Sequence, residues 1–254
     1  MRTKKGLGTF GDDTVAWIAL DKHEDEDTGA AVFVIRLLTK EARFNPMSIK
    51  AWNDALDIVE AHEGPAALVT SSDGKIYSNG LDLNWMMKDP AQRGKFVARD
   101  FEPLLGRMLN LGMPTVAAVN GHAFAGGFMI ALTHDYIVAR GDRGFFCLNE
   151  IEIGFAFLPG LEALIEAKLG IHGWAVFRDA LLGAARFTAQ AGADAGFVDA
   201  IVPKGGSGET LDKAIALAFE KAPKGNGNRS VYTAIRRVKV GKAADVLTAG
   251  PSRL

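Results

Sequence analysis

The tightest constraint in the sequence lies between residues 114 and 133. There an apolar, β-rich run ending at Val119 passes through Asn120-Gly121-His122-Ala123-Phe124-Ala125-Gly126-Gly127 into a second apolar stretch of helical character. Two adjacent glycines between a strand and a helix permit a close backbone turn, and such a turn can leave N–H groups bare at the start of the helix. N–H groups placed this way can hold negative charge that develops on an oxygen. Further on, Glu150 follows the apolar residues Phe145, Phe146, Cys147 and Leu148. A carboxylate in that setting is a candidate base, and burial should raise its pKa because desolvation disfavours the charged form.

The remainder of the chain supplies a scaffold for that segment. Residues 14–20 and 31–37 are β-rich and flank an acidic loop, which suggests a hairpin-like start to a sheet. After Asn45-Pro46, residues 47–62 place Ile49, Trp52, Leu56 and Val59 at helical spacing. A short strand at 66–70, a polar loop at 71–82, a helix from about 90 to 111 and the strand at 115–119 continue the alternation. Strands alternating with helices at this spacing argue for an α/β fold built from βαβ units. Beyond Glu150 the chain reads as mainly α, with helices expected at 161–169, 173–182, 188–195, 211–221 and 231–239 and an extended piece at 197–202. The expected organisation is a core over residues 1–202 and a C-terminal helical region over 203–254.

Charge and composition exclude several functions. With 29 basic and 30 acidic residues in 254, there is no net field to steer the chain onto nucleic acid. The single cysteine, Cys147, leaves no intramolecular disulfide and no cysteine-based zinc cluster. None of the five histidines falls in an H-x-x-x-H or H-E-x-x-H pattern, though His122 stays open because it lies in the glycine turn. Gly6-Leu7-Gly8-Thr9-Phe10-Gly11 matches a dinucleotide fingerprint by letter, but it leads into a strand rather than following one. The glycine spacing from Gly121 to Gly126 is that of a P-loop, yet Gly127-Phe128 stands where Lys-Ser/Thr is required. No serine sits in a G-x-S-x-G elbow. The basic residues 1–5 precede no apolar core, so no secretory signal is expected, and the most apolar region is too interrupted to read as a membrane span. Ser252-Arg253-Leu254 has the form of a carboxy-terminal peroxisomal address, which makes the import receptor an expected partner.

Two segments belong together: Tyr77-Ser78-Asn79-Gly80-Leu81-Asp82-Leu83 and the glycine turn from Asn120 to Gly127, each after an apolar strand. They resemble the paired oxyanion-hole motifs of the crotonase superfamily, the enoyl-CoA hydratases and isomerases. A third segment, Asn149-Glu150-Ile151-Glu152-Ile153-Gly154 followed by Leu158-Pro159-Gly160, is similar to that family's P-E-x-x-x-G and proline turn. The resemblance implies a crotonase-like spiral of ββα units with a helical C-terminal region that trimerises. It also implies an acyl-CoA ligand, no metal or redox cofactor, and assembly as a homotrimer or hexamer.

Carried over by position, the backbone N–H groups of Asn79 and Gly126 would hold the thioester oxygen. Asn79 replaces the family's usual alanine, but the donor there is backbone. Ser78, Gly80, Leu81, Asp82, Leu83, Phe128 and Met129 would bind substrate, with Asp82 fixing the loop, and Glu150 would be the acid/base. Arg43 or Lys40, and the basic run Arg236, Arg237, Lys239 and Lys242, are candidate phosphate contacts. Glu152, two residues on, should point away from the site in an extended chain. Hydratases carry a further glutamate where this chain has Met129, and water addition relies on two carboxylates. The implied reaction is therefore a Δ3,Δ2-enoyl-CoA isomerisation. A hydratase, hydrolase or decarboxylase on the same fold, or a non-catalytic acyl-CoA scaffold, are the alternatives.

Overall fold

The computed structural model describes residues 1–89, 93–204, 206–225 and 228–249; the carboxy-terminal tripeptide lies outside the described residues. The chain begins with three antiparallel strands, β1 (Arg2–Gly11), β2 (Ala16–Asp25) and β3 (Ala30–Leu37). The glycine fingerprint lies inside β1, where a bulge falls between Gly6 and Gly8. The loop expected between the next two strands is largely strand as well, since β2 runs on to Asp25.

Helix α1 (Pro46–Glu60) starts where the sequence places it. Asn45 accepts from the N–H groups of Met47 and Ser48, and Ser48 Oγ accepts from Asn45 N–H at 2.9 Å, forming a reciprocal cap with proline at the first position. Trp52, Leu56 and Val59 are buried on its inner face.

From β4 onward the chain repeats one pattern: a strand for a large sheet, a strand for a small sheet, then helix. The first turn is β4 (Ala66–Ser72), β5 (Ile76–Ser78) and the helices α2 (Leu83–Met86), α3 (Arg93–Phe96) and α4 (Glu102–Leu109), the last two joined by a π-helical turn. The second is β6 (Thr115–Val119), β7 (His122–Phe124) and α5 (Gly126–Leu132). The third is β8 (Tyr136–Arg140), β9 (Phe146–Cys147) and α6 (Pro159–Lys168). This is the ββα spiral. After α7 (Trp174–Leu181) and α8 (Ala189–Ala195), β10 (Ala200–Val202) completes a seven-stranded sheet in the order β1-β2-β3-β4-β6-β8-β10. The small sheet is β5-β7-β9, all parallel.

Strand β4 is buried on both faces, which is why its first half, Ala66 to Val69, reads as a continuous apolar run rather than an alternating one. Leu68 faces the core that holds Trp52 and Phe101, whereas Val69 faces helix α9 (Ser207–Lys221) through Ala214, Ala218 and Phe219. Helix α10 (Arg229–Thr248) packs on α4 and α6. Arg236, a candidate phosphate contact by sequence, is spent here: it pairs with Asp135 and donates to the carbonyls of Leu111 and Met113. Arg237 likewise bonds Asn110 and Asp245. Among the described residues no helix is long and apolar enough to cross a membrane.

The two sheets meet where the first-turn loop crosses the start of α5. A Cβ added at Gly127 would lie 2.2 Å from the Ser78 carbonyl oxygen, so only hydrogen fits. Gly127→Ala should therefore lower the denaturant midpoint by an amount equivalent to about 1–3 kcal/mol. Gly94→Ala, where nothing lies within 4 Å, should be neutral or stabilising. Equal midpoints for the two variants would refute the crossing.

Candidate active site

The loop after β5 is pinned group by group. Ser78 Oγ donates to Ala42 O at 2.6 Å and accepts from Gly80 N–H at 3.1 Å. Phe44 N–H donates to Gly80 O, and Asp82 N–H donates to Phe44 O, both at 2.8 Å. Asp82 caps α2 by accepting from Trp85 N–H at 3.0 Å and also accepts from Asn45 Nδ2 at 3.3 Å. Arg43 Nη1 donates to Leu81 O at 3.2 Å. Asn79 N–H donates to Glu41 O at 2.9 Å. That bond corrects the expectation that Asn79 holds the thioester oxygen, because its amide is already committed to a carbonyl. The N–H left without an acceptor in this loop, among the described residues, is that of Leu81.

The second loop supplies a matching group. Ala125 precedes α5 with φ 50° and ψ −125°, a conformation unfavourable for a residue with a side chain, and Cys147 O holds its N–H at 2.8 Å. The carbonyl of Ala125 accepts from Phe128 and Met129, so helical bonding starts there and Gly126 N–H stays bare. Gly80, at φ +72°, lets the loops touch: a Cβ on it would lie 2.7 Å from Gly126 N. The free amides of Leu81 and Gly126 thus sit on adjoining peptides.

Both residues line one cavity of about 320 Å³, together with Leu83, Phe101, His122, Met129 and Glu150. Glu150 is 3% exposed, and its Oε2 is buried with no hydrogen-bond partner. Burial raises its pKa to about 7, partly offset by its own backbone N–H. Such a carboxyl can take and return a proton near neutral pH. It is the sole carboxylate lining this cavity among the described residues.

Of the residues named from sequence, Arg43, Asn79, Leu81, Leu83, Gly126, Met129 and Glu150 come together around the cavity. Ser78, Gly80 and Asp82 shape the loop from behind. Phe128 does not line the cavity: its ring packs against Phe146 and Phe197 at 5.2 and 5.3 Å, in the core. Residues 149–154 form a turn rather than an extended chain, so Glu152 is exposed by the turn and not by alternation. Phe101, Phe155 and Leu161 also line the cavity; they come from distant helices and loops, and no local signal marks them. Among the described residues no group of three or more histidine, cysteine or acidic side chains is placed to hold a metal.

Known proteins are similar to this chain in sequence and fold. A family profile described as enoyl-CoA hydratase/isomerase matches residues 27–236. Enoyl-CoA delta isomerase 1, peroxisomal, of Arabidopsis thaliana is 34% identical over 208 residues, covering 81% of this chain and 84% of that protein. Enoyl-CoA delta isomerase 2, peroxisomal, of the same plant is 32% identical, covering 78% and 83%. Among solved structures, a probable enoyl-CoA hydratase from Mycobacterium tuberculosis superposes with a TM-score of 0.78 at 23% identity, covering 92% of each chain. With a family profile matching residues 27–236 and relatives more than 30% identical over about four fifths of its length, the chain belongs to the enoyl-CoA hydratase/isomerase family.

Proposed function

We propose that the protein is a Δ3,Δ2-enoyl-CoA isomerase that moves the double bond of a 3-enoyl-CoA into conjugation with the thioester, as in the oxidation of unsaturated acyl chains. The observation that carries this reading is the lone buried carboxylate, Glu150, in a cavity shared with two bare amides. The thioester oxygen accepts from Leu81 and Gly126 N–H. Glu150 removes a C2 proton, and the C–H electron pair delocalises through the C3–C4 double bond and the thioester, leaving a dienolate whose charge collects on the held oxygen. Returning the same proton to C4 forms the C2–C3 double bond. Nothing is oxidised or reduced, so the reaction as written requires no metal or redox cofactor.

Met129 supports isomerisation over hydration, since it lines the cavity and has no proton to move. Mixing the protein with a 3-enoyl-CoA should raise the absorbance of the conjugated thioester, and Glu150→Gln should lower kcat at least about a thousandfold. The wild-type rate should rise with pH through about 7, because the base must be ionised. Its folded-state pKa lies above the usual carboxylate value, so wild-type stability should fall as pH rises from about 4.5 to about 7. Glu150→Gln should then melt above wild type at pH 8 and converge with it at pH 5. Hydration of a 2-enoyl-CoA by the wild type, or turnover by the glutamine variant, would remove this reading.

Two further features belong to the same proposal. We infer a homotrimer or a hexamer built of two trimers; the support is the exposed apolar residues Ile171, Trp174 and Val238, at 56%, 66% and 88% exposure. Light scattering should give a mass three or six times 27.1 kDa, and a monomer would contradict it. We also infer a peroxisomal location, supported by Ser252-Arg253-Leu254 and by two relatives named peroxisomal. An amino-terminally tagged fluorescent fusion should collect in peroxisomes and become cytosolic when those three residues are deleted; unchanged distribution would exclude the tripeptide as the address.

A further inference from the structure

Five buried side-chain polar atoms lack a partner among the described residues, and two of them belong to residues that line the same cavity: Glu150 Oε2 and His122 Nδ1. Proton transfer accounts for the first. Nothing in the isomerisation accounts for the second, and an unpaired buried polar atom costs roughly 1–3 kcal/mol unless something fills its place.

His122 is held in position. It is the first residue of β7, paired with Ile76, which also lines the cavity. The rings of Phe124 and Phe145 flank its imidazole with centroids 5.2 and 5.6 Å away. Burial, then the charges of Arg143 and Arg186, hold its pKa below the ordinary histidine value. It is accordingly a neutral imidazole at neutral pH, with one nitrogen donating and the other accepting. Set beside the rings of Phe124 and Phe145, the imidazole suits an uncharged partner better than a hydrated phosphate.

We propose that His122 is a ligand-positioning residue whose Nδ1 hydrogen-bonds an uncharged polar group of the bound thioester, either an amide of the pantetheine arm or an oxygen substituent on the acyl chain. The inference rests on the acyl-CoA reading of the cavity. It does not depend on turnover.

The test is calorimetric binding of octanoyl-CoA, which is saturated and cannot isomerise, to wild type, His122→Leu and His122→Asn. Leucine and asparagine share the same branching, and asparagine alone restores a polar atom at the Nδ1 position. For the thioester that carries the partner group, leucine should weaken binding roughly tenfold and asparagine should recover most of it. If the partner is an amide, the loss appears equally with octanoyl-CoA and octanoyl-pantetheine. If it is a chain oxygen, the loss appears with 3-hydroxyoctanoyl-CoA and is absent with octanoyl-CoA. Wild-type affinity of the leucine variant for all three thioesters, or no recovery with asparagine, overturns the proposal. Thermal melts establish that each variant is folded, and His122→Phe, which extends the existing ring cluster, replaces leucine if that variant does not fold. Octanoyl-CoA binding sensitive to these changes, but without turnover of a 3-enoyl-CoA, would remove the isomerase reading and leave His122 in its role.

Discussion

The contact of one backbone with another at Gly80, Gly126 and Gly127 governs the site. Because a Cβ at Gly127 would meet the Ser78 carbonyl and one at Gly80 would meet Gly126 N, the first and second turns of the spiral pack peptide against peptide. That closeness brings the free amides of Leu81 and Gly126 side by side, a spacing no pair of side chains could hold as rigidly. The strain at Ala125 follows from it: the chain must leave β7 and enter α5 within one residue, and the Cys147 carbonyl from β9 keeps that residue in place. The small sheet therefore acts as the mount for the amide pair.

Two buried carboxylates show how surroundings divide roles. Glu102 is 6% exposed, and its pKa too is raised by burial, but it accepts from the amides of Gly160 and Leu161 at the start of α6. Those amides stabilise its charged form and occupy its lone pairs, so it serves as a helix cap. Glu150 Oε2 has no such partner, and Glu150 lines a cavity. A cap is useful because its bonds are made; a base is useful because one is not.

Long, strongly patterned elements were legible in the sequence. The strand Thr115–Val119 and the helix around Trp52 stand where their apolar spacing puts them, because each buries a face that its own residues define. β5, β7 and β9 were not legible, since strands of two or three residues owe their existence to neighbours distant in sequence. The glycine pair pointed to a bare amide at the start of α5, where the structure has that of Gly126, because the missing side chain is itself the signal. The choice between Asn79 and Leu81 depended instead on which amide the Glu41 carbonyl captures, a tertiary fact with no local trace. Phe128 was misplaced for a similar reason: one face of α5 meets the cavity at Met129 and the other meets Phe146 and Phe197, and an all-apolar helix does not say which is which.

The mount under α5 holds a second buried network whose titration lies apart from that of Glu150. Behind the helix, Tyr77 donates to Thr70 Oγ at 2.8 Å, Thr70 donates to His134 Nε2 at 2.9 Å, and His134 Nδ1 donates to the Ile130 carbonyl at 2.9 Å. The carbonyl can only accept, which fixes the histidine tautomer and with it the direction of the whole chain. Lys168 Nζ donates to His134 O at 2.7 Å, tying the end of α6 to the end of α5. Full burial pushes the His134 pKa down to about 4, so this network keeps one protonation state across the range in which Glu150, at about 7, changes its own. Helix α5 is thus fixed at its start by glycine packing and at its end by a network that does not titrate. The geometry of the amide pair can therefore stay constant while Glu150 gains and loses a proton, as the proposed proton shift requires.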